Sequence, residues 1–485
     1  MTKQTTRRRR LSLLLTLLIA GTLAAPAGSA VAQNRFSRFI SVEGPEIAIT
    51  GVKIIDGTGA VPREDQTVVI RDGRIVAIGP AASVRASIDA EVIDGSGHTL
   101  IPGLVGLHNH SFYTAAGGYI AQLSTTAPIM YLASGVTTIR TTGATSPYEE
   151  LNLKAEIDAG RRLGPRMLVT GPYLNGPAGA LGDTKVDNAE DARRVVRYWS
   201  EEGVSWFKAY MHISREALGA AIDEAHKHGI KVTAHLCSVT FREAVALGID
   251  NLEHGLVANT DYVDGKQPDL CPEEALRYSA QVDLDMSSEE VQTTFREMID
   301  AGVSMTSTMA INEMYVPGRP PIEQRSLDML APHIAVAVKA ANDRYANAPA
   351  DNDFPDSPEW FRKALEYEAA FVRAGGMLAS GVDPTGYGAA LPGFGDQRNF
   401  EILREADFTP QEVIQIMSAN GAKILDIYDQ TGSIEVGKLA ELVLLKGDLT
   451  EDPSAIKNVT IVFKDGVGYD SAAMLESIKG QVGIH

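Results

Sequence analysis

The chain lacks several features that mark large protein classes. Only two of its 485 residues are cysteines, Cys237 and Cys271, so no disulfide framework holds the fold together, although a single bridge between them remains open. The formal net charge is −18, and a chain this acidic offers no basic footprint for nucleic-acid phosphates. Repeats and low-complexity segments are also absent. With 44% hydrophobic and 22% charged residues, the composition is that of a folded globular protein.

Long hydrophobic runs are scarce as well. The one such run, residues 11–25, follows a basic cluster at residues 7–10 and precedes the small residues Ala30-Val31-Ala32. It is short for a bilayer span, and this order is typical of a signal peptide. We therefore expect residues 1–32 to be removed and the protein to be exported, periplasmic or secreted, without a stable membrane span. An uncleaved N-terminal anchor is the alternative.

Both ends of the remaining sequence are rich in short β-type runs with turns at Gly. Residues 47–101 and 432–470 share this texture, so we expect them to pair into one small β-sandwich domain. Residues 102–431 instead alternate apolar β-type runs with helical patterns, which indicates an α/β fold built on a parallel sheet.

The central segment contains eight candidate strands, which favours a closed (β/α)₈ TIM barrel. They end near Leu107, Arg140, Gly171, Ala209, Ala234, Glu253, Met309 and Gly381. An open doubly wound sheet is the competitor, but no Gly-rich phosphate fingerprint follows the first strand. Residues 311–376 form a long, mostly helical insertion between strands seven and eight, and we expect it to be a lid or an oligomer contact.

Candidate metal ligands fall at the ends of these strands, where the side chains of a barrel converge. His108 and His110 stand two residues apart, so in a strand both imidazoles point to the same side and can reach one metal. His235, His254 and Asp383 follow strands five, six and eight. Each residue alone has an ordinary structural explanation, such as a core histidine or a turn aspartate. Five together at strand ends predict a metal site.

Lys208 lies among apolar residues at the end of strand four, and it points toward the same mouth. Its ammonium would repel metals unless the amine loses its proton or is modified. Taken alone, a structural lysine paired with a carboxylate explains it equally well.

The set His108, His110, Lys208, His235, His254 and Asp383 resembles the ligand set of the amidohydrolase superfamily, in the binuclear branch that includes imidazolonepropionases and Xaa-Pro dipeptidases. Residues 102–105 before the first histidine pair, and residues 432–443 in the C-terminal β segment, resemble motifs of the same family. The resemblance implies two divalent metals, usually zinc, bridged by a carboxylated Lys208. It assigns His108, His110 and Asp383 to one metal, and His235 and His254 to the other.

Three departures from the family pattern concern the surroundings of the ligands. Gly106 stands where the family often has Asp, strand eight reads Gly381-Val382-Asp383 instead of Gly-Thr-Asp, and residues 140–143 read Arg-Thr-Thr-Gly instead of a common Arg-Asp stretch. No ligand is lost, but the second layer of contacts around the metals differs.

The expected chemistry is hydrolysis of an amide or peptide-like C–N bond in a small substrate, by attack of a metal-bridging hydroxide. Asp383 would accept the proton and pass it to the leaving amine. Tyr210 would bind substrate and donate a hydrogen bond to the oxyanion, or else simply pack near the mouth. Arg140 would bind a substrate carboxylate, or equally pair with a structural acid.

Three other functions remain open from sequence. A phosphotriesterase or lactonase uses similar metal chemistry. A mononuclear deaminase is disfavoured because residues 236–238 after His235 supply no Glu proton shuttle and because Lys208 would have no role. A non-catalytic protein with this fold would be expected to have lost ligands. The family also suggests a homo-oligomer, whereas no nucleic-acid partner is expected.

Overall fold

The computed structural model describes residues 36–179, 184–349 and 357–484. The expected signal peptide, residues 1–32, lies outside this part of the chain. Within the described part, none of the helices combines the length and the apolar character that crossing a membrane requires.

Strands occur at both ends of the chain and throughout its centre. In chain order they are β1 (Ile40–Val42), β2 (Glu46–Ile54), β3 (Arg63–Arg71), β4 (Arg74–Pro80), β5 (Glu91–Asp94), β6 (His98–Pro102), β7 (Leu104–Asn109), β8 (Phe112–Ala115), β9 (Tyr119–Gln122), β10 (Val136–Thr141), β11 (Arg166–Leu168), β12 (Thr170–Asn175), β13 (Thr184–Lys185), β14 (Trp206–Ala209), β15 (Lys231–Ala234), β16 (Asn251–Glu253), β17 (Ser304–Ser307), β18 (Leu378–Ser380), β19 (Leu442–Lys446), β20 (Val459–Lys464) and β21 (Val467–Asp470).

Helices alternate with the central strands. They are Thr126–Ala133, Pro147–Asp158, Ala189–Glu201, Arg215–Lys227, Phe241–Ala246, Glu274–Val282, Glu289–Asp300, Met309–Glu313, Gln324–Met329, Pro332–Ala346, Pro358–Arg373, Phe394–Glu405, Pro410–Gln415, Gly421–Ile424 and Ser471–Glu476. Several begin at residues that cap the free backbone N–H groups. For example, Thr240 and Glu243 form a reciprocal capping box ahead of Phe241–Ala246.

Strands from the two ends of the chain share one mixed sheet of nine strands. Its order is β1-β21-β20-β19-β6-β2-β3-β4, with β5 paired to β2. The ends join at two antiparallel pairs, β1–β21 and β6–β19, and in the second pair Leu100 lies opposite Leu444. Both of these leucines belong to a separate apolar cluster that also contains Ile47 and Phe463. The two end segments therefore complete each other's core.

The central strands form two parallel sheets, β11-β10-β7 and β13-β12-β14-β15-β16-β17-β18. The third strand expected from sequence is divided at Val169, so that β11 pairs with β10 and β12 pairs with β14. Single backbone hydrogen bonds cross between the sheets, from Ala144 N to Gly171 O at 3.1 Å and from Asp383 N to His108 O at 2.8 Å. The strand ladder is thus interrupted at two places, and nearly every residue of these strands is buried, as in parallel sheets covered by helices.

The segment between β17 and β18 is helical in its described part. The seventh predicted barrel strand corresponds to β17, which ends at Ser307. The sequence predicted its end near Met309, but Met309 instead begins the short helix Met309–Glu313. Two residues before the helix Pro332–Ala346, Leu330 forms an isolated parallel β-bridge with Val482. This bridge connects the start of the helix to the C-terminal segment.

The two cysteines form a disulfide. Cys237 follows β15 by three residues, and Cys271 lies in the loop before the helix Glu274–Val282, with a Cα–Cα distance of 4.9 Å. The sequence left this bridge undecided, because two cysteines carry no information on their distance in space. The disulfide ties the loop after β16 to the end of β15.

Candidate metal centre

The first two histidines lie at the carboxyl end of β7, and both are buried. His108 is within the strand and His110 follows it directly. Their Nε2 atoms lie 3.5 Å and 3.3 Å from the two carboxylate oxygens of Asp383. The i, i+2 spacing of a strand therefore brings both imidazoles to one carboxylate.

Two of the candidate ligands adopt left-handed backbone conformations. Asp383 has φ 48° and His254 has φ 67°, values that are uncommon for residues other than glycine. Backbone hydrogen bonds hold both, from Asp383 N to His108 O and from His254 N to Thr306 O at 2.9 Å. His254 Nε2 lies 4.0 Å from Asp383 Oδ2. Such backbone strain persists where the surrounding structure fixes it, commonly at functional sites.

Lys208 belongs to the same cluster. It lies in β14 and is almost completely buried, with its Nζ 3.1 Å from His108 Nε2. His235 follows β15, and its ring centroid is 4.2 Å from that of His254. The six candidate ligands, which are spread over more than 270 residues of sequence, therefore form one contiguous cluster.

Tyr210 lies at the edge of this cluster, half-buried. Its ring centroid is 5.0 Å from that of His235 and 5.5 Å from Lys208 Nζ. This location suits a hydrogen bond to a substrate held beside the ligands. The ring also packs edge-to-face against Tyr173 at 5.0 Å.

Arg140 does not face the mouth as a substrate-binding residue would, and this corrects the expectation from sequence. Its side chain is fully buried. It forms an ion pair with Glu253, donates to Asn251 Oδ1 at 3.2 Å, and donates from Nε to Leu107 O at 2.8 Å. These donors all contact protein groups in the interior. Arg140 therefore has the structural role that the sequence offered as the alternative, which is to pair with a buried acid.

Glu253 is a further residue of the site that the sequence did not reveal. Its carboxylate is completely buried and accepts a hydrogen bond of 2.8 Å from His108 Nδ1. This contact fixes the tautomer of His108 and leaves Nε2 as the atom that faces the cluster. The available signal was its position at the end of β16, directly before His254, but nothing in the sequence links it to His108.

Thr308 supports the cluster through a hydrogen bond, whereas Gly143 makes room for a neighbouring ring. Thr308 Oγ1 lies 2.6 Å from His254 Nδ1, which leaves His254 Nε2 for a ligand. A Cβ at Gly143 would come within 2.5 Å of the Tyr173 ring, so this departure from the family pattern makes room for that ring. Tyr173 in turn lies 6.4 Å, ring centroid to ring centroid, from His110.

Gly106, another departure, is explained by the residue three positions later. A Cβ there would lie 2.4 Å from Asn109 Oδ1. The Asn109 amide therefore occupies the space above Gly106, and its Nδ2 donates to Asp396 Oδ1 at 3.3 Å. A polar group remains in this region, supplied from a different position.

The protonation states in the cluster follow from burial and from neighbouring charges. Burial, reinforced by Lys208, lowers the pKa of His108 far below its usual range and that of His235 to about 3. Burial also lowers the pKa of His110 and His254. For Asp383, burial raises the pKa, but His108 and His110 outweigh it and the pKa falls well below the usual range. At neutral pH the imidazoles are neutral and the carboxylate is ionised.

These are the forms that bind a divalent cation. One ligand atom from each of His108, His254 and Asp383 lies within 4.8 Å of the others. His254 Nε2 is buried and has no hydrogen-bond partner in the described part of the chain. A cation would satisfy this atom, and a set of imidazole nitrogens and carboxylate oxygens suits zinc and similar metals. The residues present therefore fit a metal.

The fold and the site together define an α/β protein with a candidate metal-ligand cluster at the carboxyl ends of parallel strands. Comparison with known proteins then places it in a family. The amidohydrolase family model matches residues 99–262 and 394–468. The chain belongs to the amidohydrolase superfamily, as its sequence resemblance indicated.

Relatives with described activities include an enamidase of Eubacterium barkeri, 30% identical over 197 residues, or 38% of this chain. That match spans about half of the relative, 47% of its length. A 5-methylthioadenosine/S-adenosylhomocysteine deaminase of Desulforudis audaxviator is 24% identical over 78% of this chain and 80% of its own. Among solved structures, an Xaa-Pro dipeptidase superposes with a TM-score of 0.64 at 20% identity, covering 88% of this chain and all (100%) of the other. The fold is accordingly TIM-barrel-like.

Proposed function

We propose that the protein is a metal-dependent hydrolase that cleaves an amide or peptide-like C–N bond in a small substrate. One observation carries the proposal: the Asp383 carboxylate lies within 3.3 to 4.0 Å of three imidazole nitrogens, from His108, His110 and His254. The names of similar proteins, an enamidase and an Xaa-Pro dipeptidase, support the same bond type.

The residues that would hold metal are those of the cluster. His108, His110 and Asp383 would bind one ion, His235 and His254 a second, and a carboxylated Lys208 would bridge them. Lys208 Nζ lies 3.1 Å from His108 Nε2, so its ammonium would repel a metal bound by His108. Carboxylation would replace this positive charge with a carbamate whose oxygens can bind metal, and this supports the bridging role. When bound, the metals, which we expect to be zinc, would supply Lewis-acid activation of the scissile carbonyl and of the attacking water.

The protein's own residues would position the reactants and move the proton. Asp383 would accept the proton from the attacking water and deliver it to the leaving amine, and Thr385 Oγ1 holds its carboxylate with a hydrogen bond of 2.9 Å. Glu253 keeps His108 in the required tautomer. Tyr210 would donate a hydrogen bond to the oxygen that becomes negative.

A mononuclear deaminase is the second candidate, since a relative of that name aligns with 78% of the chain. The location of Lys208 inside the ligand cluster argues against it, because a one-metal site would leave the ammonium unused. Metal analysis distinguishes the two: about two ions per chain are expected for the hydrolase and one for the deaminase.

The test of the proposal is an assay of the zinc-loaded protein on N-acyl amino acids, dipeptides, lactones and phosphotriesters. We expect hydrolysis of the amides and peptides, and its loss in the Asp383→Asn variant, which keeps the shape of the side chain but removes the base. The matched control is Asp426→Asn, at an exposed aspartate paired with Lys231. Turnover of lactones or phosphotriesters alone, or equal activity in both variants, would overturn the proposal.

We infer further that the two parallel sheets act as one (β/α)₈ barrel and that the end sheet serves as a β-sandwich satellite. The hydrogen bonds between Asp383 and His108 and between Ala144 and Gly171 support barrel closure. A Cβ at Gly381 would lie 2.2 Å from His108 N, so the ends of β18 and β7 are in direct contact.

We also propose that the protein is exported, to the periplasm or outside the cell. The basic and apolar pattern of residues 1–32 supports this, and so does the pairing of both cysteines, because disulfides persist in oxidising compartments. Fractionation of cells that express the full chain, followed by N-terminal sequencing, tests it. We expect the mature protein to begin at Gln33. Recovery of the uncleaved chain in the cytoplasmic fraction would contradict it.

A further inference from the structure

A cavity of about 560 Å³ opens beside the loop that carries Asp383. Four parts of the chain form its walls: the hairpin of β8 and β9, the loop after β18, the helix Pro332–Ala346 of the insertion, and Tyr315, which follows the short helix Met309–Glu313. The β8–β9 hairpin follows β7, and the loop with Asp383 follows β18. Both strands end at the ligand cluster, so the cavity lies on the same side of the sheets as the metal centre. We call it the tyrosine pocket, after Tyr315, Tyr345 and Tyr387 in its lining.

Short contacts connect the tyrosine pocket to the metal centre. Gly386, in the pocket wall, is three residues after Asp383, a separation that the backbone spans in at most about 10 Å. Thr114 Oγ1 donates to Gly386 O at 2.9 Å, which joins the hairpin wall to this loop. Thr385, between the two, donates to Asp383 Oδ1. The pocket wall at Gly386 and the carboxylate of Asp383 therefore belong to one short loop, a separation that one arm of a small substrate can span.

Ring packing and hydrogen bonds hold the aromatic wall together. The rings of Tyr345 and Tyr387 stack at 5.2 Å, and Tyr315 packs edge-on against both, at 5.1 and 5.5 Å. The Tyr387 hydroxyl donates to Met314 O at 2.6 Å and accepts from Asn342 Nδ2 at 3.1 Å. Fixed tyrosine rings bind apolar and aromatic groups with little loss of side-chain entropy.

The helix Pro332–Ala346, which also carries Tyr345, provides space and one charge. Ala337, Ala340 and Ala341 line the pocket, and their small side chains leave it open. Arg344 follows them on the same helix face, exposed, with its guanidinium carbon 4.8 Å from the Tyr345 ring centroid. No ion pair to Arg344 occurs among the residues that the structure describes. Its guanidinium is suited to a carboxylate at the rim.

We propose that the tyrosine pocket is a substrate subsite that receives an aromatic arm bearing a carboxylate, with the ring against the tyrosines and the carboxylate at Arg344. The subsite rests on the proposed hydrolase function and names the class of substrate for it. It also assigns a definite role to the insertion, because the helix Pro332–Ala346 selects the substrate.

The experiment compares three amides of alanine that differ only in the acyl arm: N-acetyl, N-benzoyl and N-(4-carboxybenzoyl). In the zinc-loaded full enzyme, Ala337→Phe fills the pocket and should lower kcat/KM for both aromatic substrates by about tenfold or more, while the acetyl substrate is unaffected. Arg344→Gln should lower kcat/KM by about tenfold for the carboxybenzoyl substrate alone.

Val336→Phe is the matched control, because Val336 lies on the same helix but is 72% exposed and outside the pocket lining. It should leave all three substrates unchanged. Ala340→Phe enters the pocket from its rim and replaces Ala337→Phe if circular dichroism finds that variant unfolded. If the wild type cleaves these amides and the pocket variants affect all three equally or not at all, the subsite is wrong and the hydrolase function stands. If the wild type cleaves no amide, the proposed function itself fails, and the subsite with it.

Discussion

Glu253 and His108 are joined by a buried hydrogen bond of 2.8 Å between residues 145 positions apart in the sequence. The same carboxylate is paired with Arg140 and accepts a hydrogen bond from Thr233. One acidic side chain therefore orients His108, a proposed metal ligand, and neutralises a buried guanidinium.

Glu253→Gln should weaken metal binding by about 10- to 100-fold, because the carboxylate that orients His108 is lost. It should also destabilise the fold by about 3–5 kcal/mol, since the Arg140 charge remains buried without its partner. Competitive chelator titration and urea unfolding measure the two effects. Thr233→Val is the control: it removes a donor to the same carboxylate without touching His108, so metal affinity should change far less. Equal affinities in wild type and Glu253→Gln would refute the assignment.

Lys208→Met should abolish most metal binding at the bridged site if the lysine carries a carbamate. The carbamate itself should give a ¹³C resonance when metal-free protein is reconstituted with zinc and ¹³C-bicarbonate, and Lys208→Met should lack this signal. Lys231→Met is the control, because Lys231 pairs with Asp426 and lies at the opposite end of its strand from His235. A carbamate signal that survives in Lys208→Met would place the modification elsewhere.

The stability of the metal-free protein should depend on pH through its neutral histidines. The pKa of His235 is about 3 in the folded state and near 6.5 when unfolded, so between these values the unfolded chain binds more protons. The free energy of unfolding should therefore fall as the pH drops below 6.5, by about 1.4 kcal/mol per pH unit for each such imidazole. Urea titrations between pH 6.5 and 5 check this. His235→Asn should have a shallower slope, and identical slopes would exclude His235 as a contributor.

Tyr210→Phe should lower kcat by about 10²- to 10³-fold while metal content stays the same, because it removes a donor to the oxyanion but keeps the ring beside His235. Steady-state kinetics and metal analysis provide the two readouts. Tyr198→Phe, at a tyrosine that is 47% exposed, is the control. An unchanged kcat would remove Tyr210 from the mechanism and leave it a packing role.

Breaking the Cys237–Cys271 bridge should lower the free energy of unfolding by about 2–4 kcal/mol, because the bond closes a loop of 34 residues in the unfolded chain. Thermal unfolding with and without a reductant measures the loss. The Cys237→Ser/Cys271→Ser double variant should match the reduced protein and be insensitive to reductant. A wild type that unfolds at the same temperature in both conditions would contradict the prediction.

Much of the architecture was predictable because the hydrophobic periodicity of a strand or helix is visible in a short stretch of sequence. The runs before His108, Lys208 and His235 read as buried strands, and β7, β14 and β15 lie there. The third strand was not predicted correctly in detail, since its division at Val169 depends on which neighbour each half pairs with. Strand pairing is a long-range property, and a local pattern does not specify it.

The sequence by itself determined the candidate ligands, because a strand end followed by His or Asp is a local signal and barrel strands converge at one mouth. Tertiary structure alone decided their partners. In the folded chain Arg140 forms an ion pair with Glu253, and Thr308 forms a hydrogen bond with His254. The two cysteines are bonded, and three tyrosines pack together beside the Asp383 loop. Hydrogen bonds, ion pairs and ring contacts depend on distances of a few ångströms between segments far apart in the chain, and only the folded backbone sets those distances.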